Sequence, residues 1–407
     1  GGKLVILIKN AKIYTMSERV IEKGDILIEN GKIKEIGTNL DYQAKVIDAT
    51  GKLVFPGFID AHCHIGMWEE GIGFEGDDGN EMTDPITPHL RAIDAINPRD
   101  EAFENAIKGG VTTAATGPGS ANVIGGTFAV IKLYGKRVDE MVMVENHSMK
   151  CAFGENPKRV YAEKNTMPTT RMGTAAKLRE TLAKAFEYKA KKEAAKEDET
   201  KMPAYDIKLE AMLPVVNKEI PLKAHAHRAD DIFTAIRIAK EFGVKLTLEH
   251  CTEGHLIAKE LSKEGYSAII GPTFGNKPKF ELKNKSFETP KVLVEAGVKI
   301  AIMTDSPVIP LENLPMCSAL AYKSGLDEME ALKAISISAA EILGIEDRVG
   351  SIEVGKDADL VIWDNHPFDL QSNVEYTIVN GEIIGYHASY TDITERRKAE
   401  DRIKYLS

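Results

Sequence analysis

The chain has 407 residues, 43% of them hydrophobic and 28% charged, with a net charge of −10. This is ordinary globular composition, and the length exceeds one small core, so a large catalytic domain with a smaller companion is expected. The acidic balance disfavours a nucleic-acid partner, and no apolar run approaches the ~20 residues of a membrane helix.

The opening stretch "GGKLVILIKNAKIYTM" lacks a signal-peptide layout, because its apolar run is short and polar residues follow at once. With "GDILIENGKIKEIG" and "AKVIDATGKLVFPG" it reads as short strands joined by turns, "ENGKI" being a hairpin signal. "GFIDAHCHIG", residues 57–66, then follows a run that reads as a buried strand. Side chains at i and i+2 share a strand face, so His62 and His64 project together from a strand end.

Beyond it, helical and strand-like runs alternate. "PRDEAFENAIKGG" precedes "VTTAAT", "RADDIFTAIRIAKEFG" precedes "VKLTLEHC", "GHLIAKELSKEG" precedes "YSAIIGPT", and "TPKVLVEAG" precedes "VKIAIMTDSP". This predicts an α/β fold of βα units, a (β/α)8 TIM-type barrel over residues 56–348 with its sites at the C-terminal strand ends. "GPGSANVIGG" is glycine-rich but lacks a phosphate-loop lysine, and reads as a barrel loop. "KLRETLAKAFEYKAKKEAAKEDETKMP" reads as a solvated surface helix and loop. Short strands return in "GSIEVGKDADLVIWD" and "YTIVNGEIIGY". Residues 1–55 and 349–387 are therefore expected to form one small β-sandwich domain. The last segment, 388–407, reads as an appended helical tail with Ile403 and Leu406 on one side.

Six of the ten histidines fall in three groups. They are His62 with His64, His225 with His227 in "PLKAHAHRADD", and His250 with His255 in "LTLEHCTEGH". Asp305 closes a further apolar run in "IAIMTDSP". A barrel brings all four strand ends to one face. Neutral imidazoles with a carboxylate suit a cation such as Zn²⁺, and a site with few ligands leaves a position for water. The metal lowers the pKa of that water toward ~7, giving hydroxide as nucleophile. Asp305 is suited to take the attacking proton and return it to a leaving nitrogen. The four cysteines, Cys63, Cys151, Cys251 and Cys317, form no CxxC pair and read as buried thiols in a reducing, cytoplasmic setting.

"VFPGFIDAHCHIG", "KAHAH", "LEHC", "MTDSP" and "GSIEVGKDADLVIWD" resemble the amidohydrolase superfamily, in its imidazolonepropionase-like branch, over about residues 3–386. The resemblance implies a metal-dependent barrel flanked by a β-sandwich made from both chain ends. It implies His62 and His64 as first-strand ligands, His225 as the fifth-strand ligand, His250 as the sixth-strand histidine, and Asp305 as the eighth-strand ligand and general base. His250 joins Asp305 as a catalytic candidate. Two-metal members carry a carboxylated lysine or a glutamate on the fourth strand. Here Glu155 is the expected ligand, similar to the glutamate of N-acetylglucosamine-6-phosphate deacetylases, with Lys150 as competitor and a one-metal site with neither still open. His227, Arg228, His89 and Arg171 are candidates for the substrate pocket, Arg171 as a bidentate partner for a carboxylate. The tail "SYTDITERRKAEDRIKYLS" resembles the end of a PAS domain and its linker.

The expected function is hydrolysis of an amide or cyclic amide C–N bond in a small molecule, with one or two zinc ions (manganese or iron remaining open). The alternatives are an N-acyl amino acid deacylase or dipeptidase, and a catalytically inactive scaffold. A scaffold would show gaps among the ligands, and none of the five positions is missing. No nucleic acid or membrane partner is expected, and a homo-oligomer is allowed.

Overall fold

The computed structural model of the chain describes residues 4–69 and 73–386. The appended tail expected at 388–407 lies outside the described residues.

The N-terminal strands are β1 (Ile6–Tyr14), β2 (Val20–Glu29), β3 (Lys32–Gly37), β4 (Lys45–Asp48) and β5 (Leu53–Pro56). The barrel strands are β6 (Phe58–Cys63), β7 (Val111–Thr116), β8 (Ile124–Lys132), β9 (Val142–Ala152), β10 (Leu222–Ala226), β11 (Leu246–His250), β12 (Ala268–Ile270) and β13 (Ile300–Ile302). Then follow β14 (Leu360–Trp363), β15 (Val374–Val379) and β16 (Glu382–Tyr386).

One sheet has the order β16-β15-β14-β5-β1-β2-β3, with β4 beside β1. Its two halves come from opposite chain ends and meet where β14 runs antiparallel to β5, Leu360 opposite Pro56. Ile6, Ile8, Ile13, Ile26, Ile28, Leu360, Ile362 and Ile378 form its common core. Two hairpins in it turn on Asn-Gly pairs with left-handed backbone: Asn30 (φ 53°) with Gly31 (φ 76°), and Asn380 (φ 50°) with Gly381 (φ 75°). That pairing is what a two-residue turn of this twist demands.

The other sheet runs β6 to β13 in chain order and almost closes into a barrel. At the ends of β6 and β13, His64 N–H donates to Ser306 O (2.8 Å) and Asp305 N–H to His62 O (3.3 Å), drawing the first and last strands together at the histidines. One feature departs from eight βα units. β8 is antiparallel to both β7 and β9, whereas the other neighbouring pairs are parallel. Only residues 117–123 separate β7 from β8. That span is too short for the crossover a parallel pair requires, so the chain turns straight back.

The charged helix Arg171–Ala195 is solvated on one side only; Leu178, Leu182, Ala185 and Tyr188 are buried beneath it. All four cysteines are buried and unbridged. Among the described residues no helix is long and apolar enough to cross a membrane.

A charged knot centred on the buried Lys132, Asp357 and Asp359 ties the sheet to the barrel. Lys132 on β8 donates to Asp357 Oδ2 (2.6 Å), to Asp359 Oδ1 (3.2 Å) and to Asn380. Asp357 also accepts from Arg348 Nη2 (2.8 Å) and from Lys32.

Candidate metal centre

A cavity of about 480 Å³ opens at the C-terminal ends of the barrel strands. His64, Lys150, His225, His227, His250 and Asp305 line it, with Trp68, Phe274, Leu282, Val308 and Ile309 as its apolar wall. Two sets of ligand-capable atoms meet there, each within 4.8 Å: His62, His64 and Asp305, and His225, His227 and His250. The sets adjoin, the His62 and His250 rings lying 5.0 Å apart and the His225 and His250 rings 4.5 Å apart.

Hydrogen bonds decide which imidazole nitrogens are free. His64 Nδ1 donates to Gly117 O (2.7 Å) and His250 Nδ1 to Gly271 O (2.7 Å). A carbonyl only accepts, so both rings carry the proton on Nδ1 and present the Nε2 lone pair. His62 Nδ1 donates to Glu249 Oε1 (2.9 Å), with the same result. His62 Nε2 and both His225 nitrogens are buried without a hydrogen-bond partner. His227 Nδ1 shares a 2.6 Å bond with Thr252 Oγ1.

Burial pushes His250 down to about 3, against the pull of Asp305. Burial, then the neighbouring His250, holds His225 and His227 well below the usual imidazole range. Burial also lowers His64, with Asp305 acting against it. These rings are neutral at neutral pH. For Asp305, burial alone would raise the pKa, but the surrounding imidazoles of His62, His64 and His250 outweigh it and hold the carboxyl well below the ordinary range. An ionised carboxylate oxygen therefore lies 2.9 Å from the lone pair of His64 Nε2 and 3.3 Å from that of His62 Nε2. Acceptors facing one another across such distances repel unless a cation lies among them. The donor set, neutral imidazoles and one carboxylate, is what a zinc-like ion takes.

The backbone is strained at this point. His250 (φ 71°), Cys251 (φ 52°) and Asp305 (φ 56°) all occupy the left-handed region. Such conformations cost on the order of 1–3 kcal/mol each and persist where the surroundings impose them. Asp60 supplies part of that imposition. Its Oδ2 accepts from Thr304 N (3.0 Å) and Oγ1 (2.6 Å), and its Oδ1 from His62 N (3.0 Å). Burial raises Asp60 to about 6, opposed by these same bonds.

A second buried pair backs His62. Lys223 Nζ reaches Glu249 Oε1 (2.6 Å) and Ala61 O (2.8 Å). Burial would raise Glu249, but Lys223 and His62 overcome it and hold it at about 2. A carboxylate accepting from the far nitrogen of a ligating imidazole orients the ring and raises its basicity. Sequence reasoning missed Asp60, Lys223 and Glu249. The available signal was a charged residue within the apolar strand runs "LKAHA" and "LTLEH", since such residues are rarely buried unless paired.

Of the residues expected around the site, several lie elsewhere. Glu155 exchanges bonds with Glu281, its N–H donating to Oε2 (3.0 Å) and its Oε1 accepting from Glu281 N (2.9 Å). It lines a separate groove with Lys158, Arg159, Arg171 and Arg228. The reason is local: β9 stops at Ala152 and Gly154 (φ 87°) turns the chain outward before Glu155. Lys150 is still inside the strand, fully buried, and lines the histidine cavity. Burial lowers its pKa to about 8, against the pull of Asp305 and Glu249. Arg171 spends its Nε on both oxygens of Asp231 (3.2 and 3.1 Å), and Arg228 pairs with Asp230 (2.6 Å). His89 lines another pocket, beside Asp77 and Asn97. Of the four substrate-pocket candidates only His227 lines the cavity, and there it belongs to a ligand-capable cluster.

Comparison with known proteins identifies the family. Residues 53–384 match the amidohydrolase family. The chain is 47% identical to an amidohydrolase from Thermotoga maritima MSB8 of known crystal structure, with a TM-score of 0.92 over 94% of this chain and 100% of that one. It is 28% identical over 422 residues to amidohydrolase tasK of Hapsidospora irregularis, covering 91% of this chain but only 42% of that protein's length. It is 25% identical over 451 residues to a 5′-deoxyadenosine deaminase of Methanobrevibacter smithii, covering 99% of each. It is 24% identical over 414 residues to an imidazolonepropionase of Paracoccus denitrificans, covering 93% of this chain and 98% of that one. The chain belongs to the amidohydrolase family and is a metal-dependent hydrolase of carbon–nitrogen bonds.

Proposed function

We propose that the protein opens an amide or cyclic amide bond of a small molecule in the manner of the imidazolonepropionase-like branch. In this reading His62, His64, His225, His250 and Asp305 hold a zinc-like divalent cation. Lys150, rather than Glu155, is the fourth-strand residue available to bridge a second one after carboxylation. When bound, such a cation supplies Lewis acidity, acidifying water and polarising the amide carbonyl.

The chain's own residues do the rest. Glu249 fixes the His62 ring through Nδ1, and the Gly117 and Gly271 carbonyls fix His64 and His250. Asp305, ionised and strained into position, accepts the proton of the attacking water at its carboxylate and returns it to the leaving nitrogen. The apolar wall of Trp68, Phe274 and Leu282 restricts bulk water around the scissile bond.

The observation that carries this reading is the pair of imidazole lone pairs facing the Asp305 carboxylate at 2.9 and 3.3 Å. Metal analysis of protein expressed with zinc, manganese or iron supplementation tests it first. Turnover of imidazolones, hydantoins, N-acyl amino acids and dipeptides tests it second. Near-zero metal content would favour an inactive scaffold, and activity confined to the linear amides would favour the deacylase or dipeptidase alternative.

A further inference from the structure

The segment after β12, "TFGNKPKFELKNKSFE", crosses the mouth of the cavity and carries four lysines, Lys277, Lys279, Lys283 and Lys285. Two of them line the cavity, Lys279 and Lys285. Their circumstances differ. Lys279 Nζ is neutralised by Glu281 Oε1 (3.4 Å) and also donates to Asn156 Oδ1 (3.1 Å). Lys285 Nζ donates only to Asn276 O (2.9 Å), and among the described residues no carboxylate lies within ion-pair distance of it. Lys285 also lines a small side pocket with His250, Thr252, Gly271 and Ser286.

A half-buried ammonium without a counterion is unexpected in a chain with a net charge of −10. Among the described residues Asp305 is the one carboxylate lining the cavity, and no ion pair joins it to Lys285; its Oδ1 lies against His62 and His64. The apolar side chains of the cavity are Trp68, Phe274, Leu282, Val308 and Ile309.

Resting on the hydrolase reading above, we propose that Lys285 is the anchor for a substrate carboxylate, so that the substrate class is a small amide bearing a free carboxylate and an apolar group. The carboxylate stands either on the amino acid α-carbon or on a short chain attached to a ring. Lys279, already paired, sets the edge of this subsite rather than its charge. Arg171, expected from the sequence to hold a carboxylate, is bound to Asp231 and lines another groove.

Matched pairs test the proposal on the metal-loaded full chain: N-acetyl-L-leucine against N-acetyl-L-leucinamide, and hydantoin-5-propionate against its side-chain carboxamide. In at least one pair the free carboxylate should have a kcat/KM about tenfold or more above its neutral partner, the scale of one charge-assisted hydrogen bond. The pair that shows it identifies the source of the carboxylate. Lys285→Met should erase the advantage through KM with kcat kept, and Lys285→Arg should restore most of it, which a merely structural role would not produce. Preference for the neutral partners, or an advantage that survives Lys285→Met, overturns the subsite and leaves the hydrolase reading standing. If no pair is turned over, calorimetry of the same compounds decides. Tighter binding of the carboxylates that Lys285→Met weakens about tenfold keeps the subsite and removes the hydrolase reading for these amides. Equal binding of charged and neutral partners overturns the subsite.

Discussion

Two polar clusters with buried centres use their atoms in opposite ways. At the junction of sheet and barrel, Lys132, Arg348 and Lys32 meet Asp357 and Asp359, and each of these charges has an opposite charge or a hydrogen bond on it. At the barrel mouth, His62 Nε2 and both nitrogens of His225 have no protein partner, lone pairs face a carboxylate, and His250 and Asp305 are held in the left-handed region. Protein interiors satisfy nearly all their polar groups, because an unpaired one loses its hydration without return. The junction follows that rule in its charges, Asp359 Oδ2 resting on its ion pair with Lys132 (3.1 Å), and fastens two parts of the fold. The histidine cluster breaks it, and the broken rule marks where valences are kept for something the protein binds.

The largest expected effect lies at the unsatisfied cluster. Asp305→Asn keeps the shape and one ligating oxygen but cannot accept a proton. Its kcat should fall about 10²–10⁴-fold with metal content retained and a smaller change in KM. A metal-loaded variant with near-wild-type kcat would pass the proton transfer to His250 or His227.

The satisfied cluster should respond in stability, not in chemistry. Asp357→Asn leaves Lys132 with Asp359 as its one anionic partner and should cost about 3 kcal/mol, the lower range for breaking a buried pair, with kcat unchanged. Burial would raise Asp357, but its bonds from Lys132 and Lys32 overcome this and hold it at about 2. An unfolded aspartate titrates near ~3.9. Its contribution is therefore complete above ~pH 4 and is lost as the pH falls toward about 2. Denaturant titrations of wild type and variant should converge across that window. A constant difference would mean that another group carries the acid sensitivity.

Glu249→Gln joins the two behaviours, since Glu249 is ion-paired with Lys223 through Oε1 and supports an unsatisfied ligand through the same oxygen. Metal affinity, measured by chelator competition, should weaken about 10–100-fold. Unaltered affinity would reduce Glu249 to a counterion for Lys223. The smallest effect belongs to Glu155→Gln, where the amide oxygen still accepts from Glu281 N. Stability should move by less than ~1 kcal/mol and metal content not at all. A loss of bound metal would return Glu155 to the ligand set.

What could be read from the residues alone was whatever depends on short-range repetition. His62 with His64, and His225 with His227, sit two apart, and a strand's period of two puts each pair on one face whatever surrounds it. The Asn-Gly turns are equally local, since positive φ at both positions selects those residues. The family resemblance rested on such short motifs in their order, and the family is the one the comparisons return. What the tertiary structure alone decided was every question of where a strand stops and who meets whom across the sheet. Lys150 and Glu155 are five apart, and only the end of β9 and the turn at Gly154 put one in the cavity and the other in a groove. Arg171 had a plausible task until Asp231, sixty residues on, took its Nε. Glu249 and Lys223 become meaningful only when β11 and β10 lie side by side against His62. Periodicity is a property of neighbours in sequence, whereas hydrogen-bond satisfaction and burial belong to neighbours in space, and the chemistry of this site is written in the second.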